Sequence, residues 1–397
     1  MSTPPHPRPN DPRPNNRRFL ELAARAGLRG FGRVEPNPMV GAVLVRDGVV
    51  LGIGHHRRFG GVHAERAAID AARGNGHDLR GATLYVTLEP CAAPGRNPPC
   101  TGLVLDAGIA EVVYARSDPH PQKGGGAALL RDAGVTVRLC TDSPLASGLA
   151  EPFIKRTTTD QPWVIAKWAQ TIDGRVATRS GESKWISGER ARRRVHALRT
   201  RVDAILTGSG TVIADDPQLT PRNVTVVRRP VRVVADTDLD IPAHSALVRT
   251  ARETPTCILC DRELLTASIA ARVRGDLQDA GVRLIGVRAS ANGRGIDLRD
   301  ALAALRREMN VSTVLVEAGP GLVGGLIDAD LVDEAVVYIA PLLLGDELAR
   351  AVAVGRVAES LSAARRLTLW RSKVVGGDVE LTYRRDVPPR DHRTSPS

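Results

Sequence analysis

Four residues in the first quarter of the chain have the types and spacing that a catalytic metal site needs. His63 and Glu65 enclose one alanine, Cys91 ends Leu-Glu-Pro-Cys, and Cys100 follows two prolines. One imidazole and two thiolates suit Zn²⁺ as three protein ligands, leaving a fourth position for water. The alternative is a histidine at a helix start and two buried thiols, but the placing of Glu65 and of the prolines favours the metal.

Glu65 stands two residues after His63, where a zinc-dependent deaminase carries the glutamate that moves protons. The pattern H-x-E followed by P-C is typical of these enzymes, although the second cysteine here lies nine residues after the first instead of three. The sequence therefore predicts His63, Cys91 and Cys100 as Zn²⁺ ligands and Glu65 as the catalytic acid and base.

The elements that must position these residues alternate between strands and helices. We predict strands near 39–45, 49–53, 83–88, 111–115 and 135–139, and helices over 17–27, 63–74, 98–108 and 126–133. Asp47-Gly48 predicts a hairpin turn. His63 and Cys100 would each begin a helix, where unpaired N–H groups and the helix dipole favour a thiolate.

A chain of 397 residues predicts two domains. We expect a disordered Pro-rich tail at 1–16, a first α/β domain at 17–150, a second at 161–384 and a disordered tail at 385–397. Residues 141–161 have the composition of a linker with a short helical piece. The second domain's strands are predicted near 163–169, 203–207, 231–235, 256–260, 282–287, 312–317 and 335–340.

The formal charge of +11 raises the hypothesis of a nucleic-acid partner. Part of that excess lies in the termini, and the one dense internal run, Arg192–Arg194, lacks aromatic neighbours on which bases could stack. An anionic small substrate fits better, so we expect no nucleic-acid partner.

Five cysteines are an odd number and too sparse for a disulfide scaffold. Cys257 and Cys260 lie within an apolar strand pattern, so core thiols are favoured over a redox or zinc pair. No apolar run reaches the length of about 18 residues that crosses a membrane. We expect a cytoplasmic protein without a membrane partner.

The first-half motifs are Glu35–Gly41, His63–Glu65, Leu88–Cys91 and Gly95–Cys100. Together they resemble the bifunctional deaminase/reductase of riboflavin biosynthesis, and the resemblance extends over roughly residues 17–384. It implies a cytidine-deaminase-like three-layer zinc domain followed by a dihydrofolate-reductase-like domain. It also implies that Asn37 binds the pyrimidine; a structural turn between two prolines is the alternative.

In the second half, Ala166–Gly174, Ser180–Ser187 and Leu206–Arg222 are similar to the reductase domain of that family. The resemblance implies two sets of ligand contacts. Those to NADPH would come from Ala169, Trp185, Thr211 and Asp215. Those to the substrate would come from Ser183, Arg199, Leu219, Arg222 and Glu317.

A glycine-rich turn follows the predicted strand at 312–317. Gly319, Gly321 and Gly324 satisfy G-x-G-x-x-G, and such a turn at a helix start presents N–H groups to a dinucleotide phosphate. The family has a turn of this kind late in its reductase domain. We therefore predict cofactor contacts from Gly319, Pro320, Gly321, Leu322, Val323, Gly324 and Gly325.

The resemblance predicts an enzyme that binds Zn²⁺ and NADPH. It would deaminate 2,5-diamino-6-ribosylamino-4(3H)-pyrimidinone 5′-phosphate and then reduce the ribosyl group to ribityl. We expect a pyrimidine nucleotide as the small-molecule substrate, and a homo-oligomer.

Two alternatives remain open. Ala92-Ala93-Pro94 replaces a polar segment of the family, and His120 replaces an asparagine. The deaminase half could therefore be weak, inactive or retargeted in a specialised pathway. The second alternative is a nucleic-acid deaminase or binder that uses the basic termini.

Overall fold

The structure is a computed structural model that describes residues 15–291, 293, 295–355, 358 and 360–385. These residues form two compact units, one up to Asp160 and the other from Gln161 onward. Most of the two predicted disordered tails lies outside the described residues. Asn16 begins the first helix and Arg385 ends the last strand, so these two residues of the predicted tails are ordered parts of the fold.

The first unit contains six helices and five strands among its described residues. The helices are α1 (Asn16–Gly27), α2 (Ala64–Gly74), α3 (Cys100–Asp106), α4 (Gly126–Asp132), α5 (Pro144–Ser147) and α6 (Glu151–Thr158). The strands are β1 (Gly41–Arg46), β2 (Val49–His55), β3 (Thr83–Val86), β4 (Glu111–Tyr114) and β5 (Thr136–Leu139). The five strands form one sheet in the order β2-β1-β3-β4-β5.

The predicted hairpin joins β1 to β2, with Asp47 and Gly48 both at positive φ (52° and 77°). Two positive φ values in succession are what a tight hairpin turn of this hand requires. Strand β1 also pairs antiparallel with β3, whereas β3, β4 and β5 run parallel. Parallel pairing returns each strand through a helix, and in this way α3 and α4 are placed against the sheet.

Helices approach both faces of the β1–β2 hairpin at very short range. A Cβ atom on Gly41 would lie 1.8 Å from the Ala23 carbonyl oxygen of α1, and one on Gly54 would lie 2.3 Å from the Ala64 carbonyl oxygen of α2. Only glycine leaves room for backbone this close. The unit is therefore a three-layer fold, with α1 on one face and α2, α3 and α4 sharing a hydrophobic core with the sheet on the other.

The prediction of a linker at 141–161 is wrong for most of its length. Helix α5 begins with a helix-start signal that the linker interpretation overlooked: the Ser143 hydroxyl accepts the Ala146 N–H, and Pro144 is in the first turn. Ala146, Leu149 and Ala150 are fully buried within the unit. This segment is therefore packed structure.

The second unit contains a nine-stranded sheet and a two-stranded one. Its strands are β6 (Trp163–Gln170), β7 (Arg175–Ala177), β8 (Ala204–Gly208), β9 (Val231–Ala235), β10 (Thr256–Asp261), β11 (Arg283–Val287), β12 (Thr313–Val316), β13 (Glu334–Ile339), β14 (Arg350–Ala351), β15 (Leu367–Val375) and β16 (Asp378–Arg385). Its helices are α7 (Glu189–Arg199), α8 (Ser209–Asp215), α9 (Ala246–Arg249), α10 (Ala271–Asp279), α11 (Leu298–Met309) and α12 (Pro320–Asp328).

The large sheet has the order β11-β10-β9-β8-β12-β6-β13-β16-β15. Strands β6 and β8 to β13 run parallel, and the β15–β16 hairpin adds two antiparallel strands at one edge. In a sheet of this kind ligands bind beyond the carboxyl ends of the strands, where β8 and β12 lead into helices.

No helix in the described part of the chain combines the length and the apolar character that crossing a membrane requires.

The packing of Gly54 gives a stability prediction. In Gly54→Ala the new methyl group would collide with the backbone of α2, so we expect the free energy of unfolding of the first unit to fall by about 1–3 kcal/mol. All four tryptophans lie in the second unit. Hydrogen exchange of β2 and α2 peptides over a urea series is therefore the suitable measurement.

The control is Gly74→Ala at the end of α2, where a Cβ would meet nothing within 4 Å. A loss of stability as large in the control as in Gly54→Ala would contradict the packing argument.

Candidate active sites

The three predicted metal ligands arrive from three different elements. His63 is the N-cap residue of α2, Cys100 is the first residue of α3, and Cys91 lies in the loop after β3. Both helix starts follow a residue with extended backbone, which is the normal conformation of an N-cap residue. This residue is His63 for α2 and Pro99 for α3.

The ligand atoms form a group that fits one metal ion. The His63 Nδ1, Cys91 Sγ and Cys100 Sγ atoms all lie within 4.8 Å of one another. Nδ1 is 3.3 Å from the Cys100 sulfur and 3.7 Å from the Cys91 sulfur. A tetrahedral zinc ion with ordinary bond lengths separates its nitrogen and sulfur ligands by about 3.6 Å. The residues therefore fit zinc, and one tetrahedral position stays open.

The surroundings favour thiolate at Cys91. Hydrogen bonding from the Cys100 thiol lowers the pKa of Cys91, and the Cys100 backbone N–H donates to the Cys91 sulfur over 3.4 Å. The same interaction with Cys91 raises the pKa of Cys100. A metal ion binds the deprotonated sulfur, so Cys91 is prepared for binding before any ion arrives.

Glu65 lies in the first turn of α2 and is only 4% exposed. Burial raises the pKa of its carboxyl group, while the nearby His63 charge acts in the opposite direction. A carboxyl group whose pKa is raised holds a proton more readily than an exposed one, which suits acid–base work.

A pocket of about 150 Å³ opens onto His63 and Cys91. It is lined by Asn37, Phe59, Gly60, His63, Cys91, Ala93, Gly95, Arg96, Asn97 and Lys123. Asn37, a predicted substrate contact, is among them. Its side-chain amide lies 3.2 Å from His56 Nε2, and His56 Nδ1 lies 2.9 Å from the Val62 carbonyl oxygen. Because Nδ1 must donate to that carbonyl, Nε2 accepts from Asn37 and fixes the amide orientation.

Two cations border the same pocket, and sequence reasoning missed both. Arg96 lies over the Phe59 ring, with its guanidinium carbon 4.8 Å from the ring centre. Lys123 reaches the pocket from the loop after β4, and its ammonium group would lie 3.8 Å from a Cβ on Gly95. Arg96 lay inside the quoted Gly95–Cys100 motif and could have been found there, but no sequence signal brings Lys123 to this pocket.

The second unit contains a much larger cavity, of about 1530 Å³. Single-ligand pockets are usually about 300–1000 Å³, so this one has room for two ligands together. The cavity contains almost the whole predicted reductase set: Ala169, Ser183, Trp185, Arg199, Thr211, Asp215, Leu219, Arg222, Glu317, Gly319, Pro320, Gly321, Leu322, Val323 and Gly325.

Gly324 is the one predicted cofactor residue that does not line the cavity. A Cβ atom there would lie 2.0 Å from the Val354 carbonyl oxygen. The glycine is therefore required for close packing of α12 against another segment of the second unit, which is a different reason from contact with a phosphate.

The glycine turn itself faces the cavity. The Gly319 N–H donates to the Thr211 hydroxyl over 3.2 Å, which ties the turn to α8. Pro320 begins α12, and a Cβ on Gly321 would meet nothing within 4 Å. The first N–H groups of a helix have no partner within the helix, so this open helix start suits a phosphate group.

Glu317 follows β12 and lies within a buried cluster of charges. Arg199 holds it with two hydrogen bonds of 2.6 and 3.1 Å, and Lys167 approaches to 3.4 Å. Burial alone would raise the pKa of Glu317, but Arg199 and Lys167 outweigh it and lower the pKa to about 2. The carboxylate is therefore charged throughout the neutral range, as an orienting group should be.

Sequence reasoning also missed two members of this second site. Lys167 pairs with Glu317, and His196 lines the cavity and accepts the Arg222 backbone N–H at Nδ1 over 3.2 Å. Lys167 stood in a quoted motif without being assigned a role. His196 lies three residues before Arg199, one helical turn away, which was a usable signal.

The Cys257 and Cys260 thiols are fully buried in β10, as predicted for core residues. Burial raises their pKa values to about 12 and about 11, respectively.

With its zinc-type site in one unit and a dinucleotide-sized cavity in the other, the chain is a bifunctional deaminase and reductase. Residues 13–116 match the cytidine and deoxycytidylate deaminase zinc-binding region, and residues 162–381 match the RibD C-terminal domain. The riboflavin biosynthesis protein RibD of Aquifex aeolicus is 35% identical over 372 residues, covering 93% of this chain and 98% of that protein. The protein of the same name from Escherichia coli is 36% identical over 374 residues, covering 91% of this chain and 97% of that protein.

Two solved structures agree. Acinetobacter baumannii RibD (form 1) has a TM-score of 0.69 at 33% identity and covers 93% of this chain and 98% of its own. A deaminase/reductase structure from Thermotoga maritima has a TM-score of 0.70 at 32% identity, covering 94% of this chain and 99% of its own. The chain belongs to the RibD family of riboflavin biosynthesis and carries out deamination and reduction with Zn²⁺ and NADPH as cofactors. The alternative of an inactive or retargeted deaminase half receives no support from these relatives.

The metal site gives a direct prediction. The purified protein should contain one tightly held zinc ion, and Cys91→Ala combined with Cys100→Ala should remove it, because one imidazole alone cannot hold the ion. Glu65→Gln should keep the zinc and lose deamination, since the glutamate carries a proton and is not a ligand. Elemental analysis together with a deamination assay measures both. Zinc that persists in the double variant would show that the ligands lie elsewhere.

The glycine turn gives a second prediction. In Gly321→Val the side chain would enter the cavity at the place of a phosphate, so the affinity for NADPH should fall about tenfold or more. Fluorescence titration with NADPH measures the change. Gly275→Val in α10 is the control, because a Cβ there also meets nothing within 4 Å but lies away from the cavity. Equal affinities in the two variants would rule out a cofactor role for the turn.

Proposed function

We propose that the first unit deaminates a diaminopyrimidinone ribosyl nucleotide by hydrolysis and that the second unit reduces the ribosyl group of the product to ribityl. The Thermotoga maritima relative supports this choice, since its structure is described as a diaminohydroxyphosphoribosylaminopyrimidine deaminase/5-amino-6-(5-phosphoribosylamino)uracil reductase. The observation that carries the proposal is the group of three ligand atoms within 4.8 Å beside the buried Glu65.

His63, Cys91 and Cys100 would hold the zinc ion in this proposal. When bound, zinc supplies a Lewis acid that lowers the pKa of water towards about 7. Glu65 takes a proton from the attacking water and returns one to the departing amino group, so that ammonia leaves as a neutral molecule. The raised pKa of Glu65 supports both directions of transfer. Asn37, held by His56, hydrogen-bonds the pyrimidine.

Arg96 and Lys123 would bind the substrate's phosphate. Both line the pocket, and within the described part of the chain neither forms a salt bridge with an acidic side chain. Cations without an acidic partner at a pocket edge are suited to an anionic ligand. Of Ala92-Ala93-Pro94, only Ala93 lines the pocket, and its methyl group cannot hydrogen-bond a ligand. The two cations would supply polar contacts in place of that segment.

In the second unit, the glycine turn from Gly319 to Gly325 would bind the NADPH phosphates. NADPH supplies the hydride when bound. Trp185, Thr211, Asp215 and Ala169 would form the remaining cofactor contacts. On the substrate side we assign Ser183, Leu219 and Arg222, with the Arg199–Glu317 pair orienting the sugar. The open position of Gly321 and the cavity volume support this division.

We further assign deamination to residues 17–150 and reduction to residues 161–384, in line with the family matches at 13–116 and 162–381. Exposed apolar side chains at Ile172, Leu343 and Leu348 support a homo-oligomer, because exposed large apolar residues are typical of contacts between copies. Five unpaired cysteines support a cytoplasmic location, where thiols stay reduced.

Assays of both half-reactions on the purified full-length chain test the proposal. The wild-type protein should deaminate the diaminopyrimidinone nucleotide and should reduce the deaminated product with NADPH. Lys123→Met should raise the KM for deamination about tenfold, because a hydrogen bond to a charged group is worth roughly 1.5–3 kcal/mol.

Reduction by Lys123→Met should be unchanged, and Lys373→Met, an exposed lysine of the second unit, is the matched control. A wild-type protein that reduces the nucleotide but cannot deaminate it would overturn the assignment of the first unit.

A further inference from the structure

One wall of the reductase cavity is formed by the segment from Asp215 to Arg222. The side chains of Asp215, Pro217, Leu219 and Arg222 line the cavity. Polar groups of Asp216, Gln218 and Thr220 form hydrogen bonds with residues outside the segment, and these bonds hold the wall.

The segment contains two non-glycine residues with left-handed backbone. Asp216 has φ 40°, and Leu219 has φ 50° while being only 4% exposed. Side chains other than glycine seldom adopt this region, so such conformations persist only where the surroundings determine them. The conformation of the wall therefore depends on hydrogen bonds from residues outside the segment, here called its anchors.

Two of the anchors come from residues outside the cavity lining: Ala246 at the start of the short helix α9, and Arg232 of strand β9. The Asp216 carboxylate accepts the Ala246 N–H at the start of α9 over 2.7 Å. The Gln218 carbonyl oxygen accepts a hydrogen bond of 3.4 Å from the Arg232 guanidinium.

Arg232 is the largest fully buried side chain of the chain's described part and is 1% exposed. It forms no ion pair with any described acidic residue. Its donors instead reach the carbonyl oxygens of Leu247, Thr250 and Thr254 over 3.1, 3.1 and 2.8 Å. A buried charge must be hydrogen-bonded, and through these bonds Arg232 connects the end of α9 to the wall.

The other two anchors come from the last turn of α7. Arg199 donates to the Thr220 carbonyl oxygen over 3.0 Å, and His196 accepts the Arg222 N–H over 3.2 Å. Each even-numbered residue of the wall thus forms a hydrogen bond with a residue outside the segment, while Asp215, Pro217 and Leu219 line the cavity.

We propose that Asp216 and Arg232 are positioning residues of the reductase. They fix the wall in its strained form before the nucleotide binds, so that Leu219 and Arg222 are already in place. Preorganisation of this kind removes the ordering cost from binding and appears in KM more than in kcat. The inference rests on the proposed function of this cavity as the site of nucleotide reduction.

The test compares substitutions at Asp216 in the full-length protein. Asp216→Gly accepts a positive φ but loses the tie to Ala246, so the KM for the deaminated nucleotide should rise about tenfold, with kcat within about threefold. Asp216→Asn keeps an acceptor oxygen and should restore a KM near that of the wild type. Deamination by the same samples normalises the amount of full-length protein, and the kcat for reduction reports on folding of the second unit.

Arg232→Met should raise the same KM, whereas Arg249→Met, an exposed arginine of α9, should not. A purely structural role would lower the active fraction and kcat and leave KM unchanged. An unchanged KM in Asp216→Gly overturns the proposal, as does an asparagine variant that behaves like the glycine variant.

Hydrogen exchange separates this inference from the proposed function. If the wild-type protein does not reduce the nucleotide, the proposed function fails, but the amides of residues 215–222 still report on the wall. They should exchange about tenfold faster in Asp216→Gly than in the wild type, since one anchor is lost. Equal exchange in the two proteins would overturn the role of the anchor.

Discussion

The close approach of α2 to strand β2 is the constraint on which the deaminase site depends. His63 and Glu65 both lie at the start of α2, and their position is fixed by how near that helix can come to the sheet. Gly54 permits contact between the two backbones, because any Cβ at that position would overlap the Ala64 carbonyl group. The Glu65 carboxyl group is buried in the first turn of the same helix, so its raised pKa follows from packing.

Glu65 and Glu317 show how the surroundings of a glutamate change its pKa. Burial raises the pKa of Glu65, and the His63 charge and hydrogen bonds from the backbone and Cys100 oppose that rise only in part. Glu317 is also largely buried, yet Arg199 and Lys167 lower its pKa to about 2. The same side-chain type thus has a raised pKa in one unit and a lowered pKa in the other, because the neighbouring charges differ.

Sequence reasoning succeeds where a residue type has few physical uses. His63, Cys91 and Cys100 could be grouped because metal chemistry restricts their spacing, and Asp47-Gly48 fixed a hairpin. Sequence reasoning failed where long-range packing determines which strands pair and which side chains reach a pocket. The β15–β16 hairpin was missed because its turn at Gly376 joins strands with mixed polar and apolar residues. Lys123 enters the pocket through a loop whose path no local pattern specifies.

The volume of the reductase cavity has a consequence for kinetics. The glycine turn and Glu317 line one space of about 1530 Å³. Two ligands can therefore be present together, and hydride can pass directly from one to the other without storage on a side chain. Such a site requires a ternary complex and a sequential order of addition, with the spent cofactor and the ribityl product leaving only after the transfer. Double-reciprocal plots for the reductase then intersect, in contrast to the parallel lines of a ping-pong enzyme.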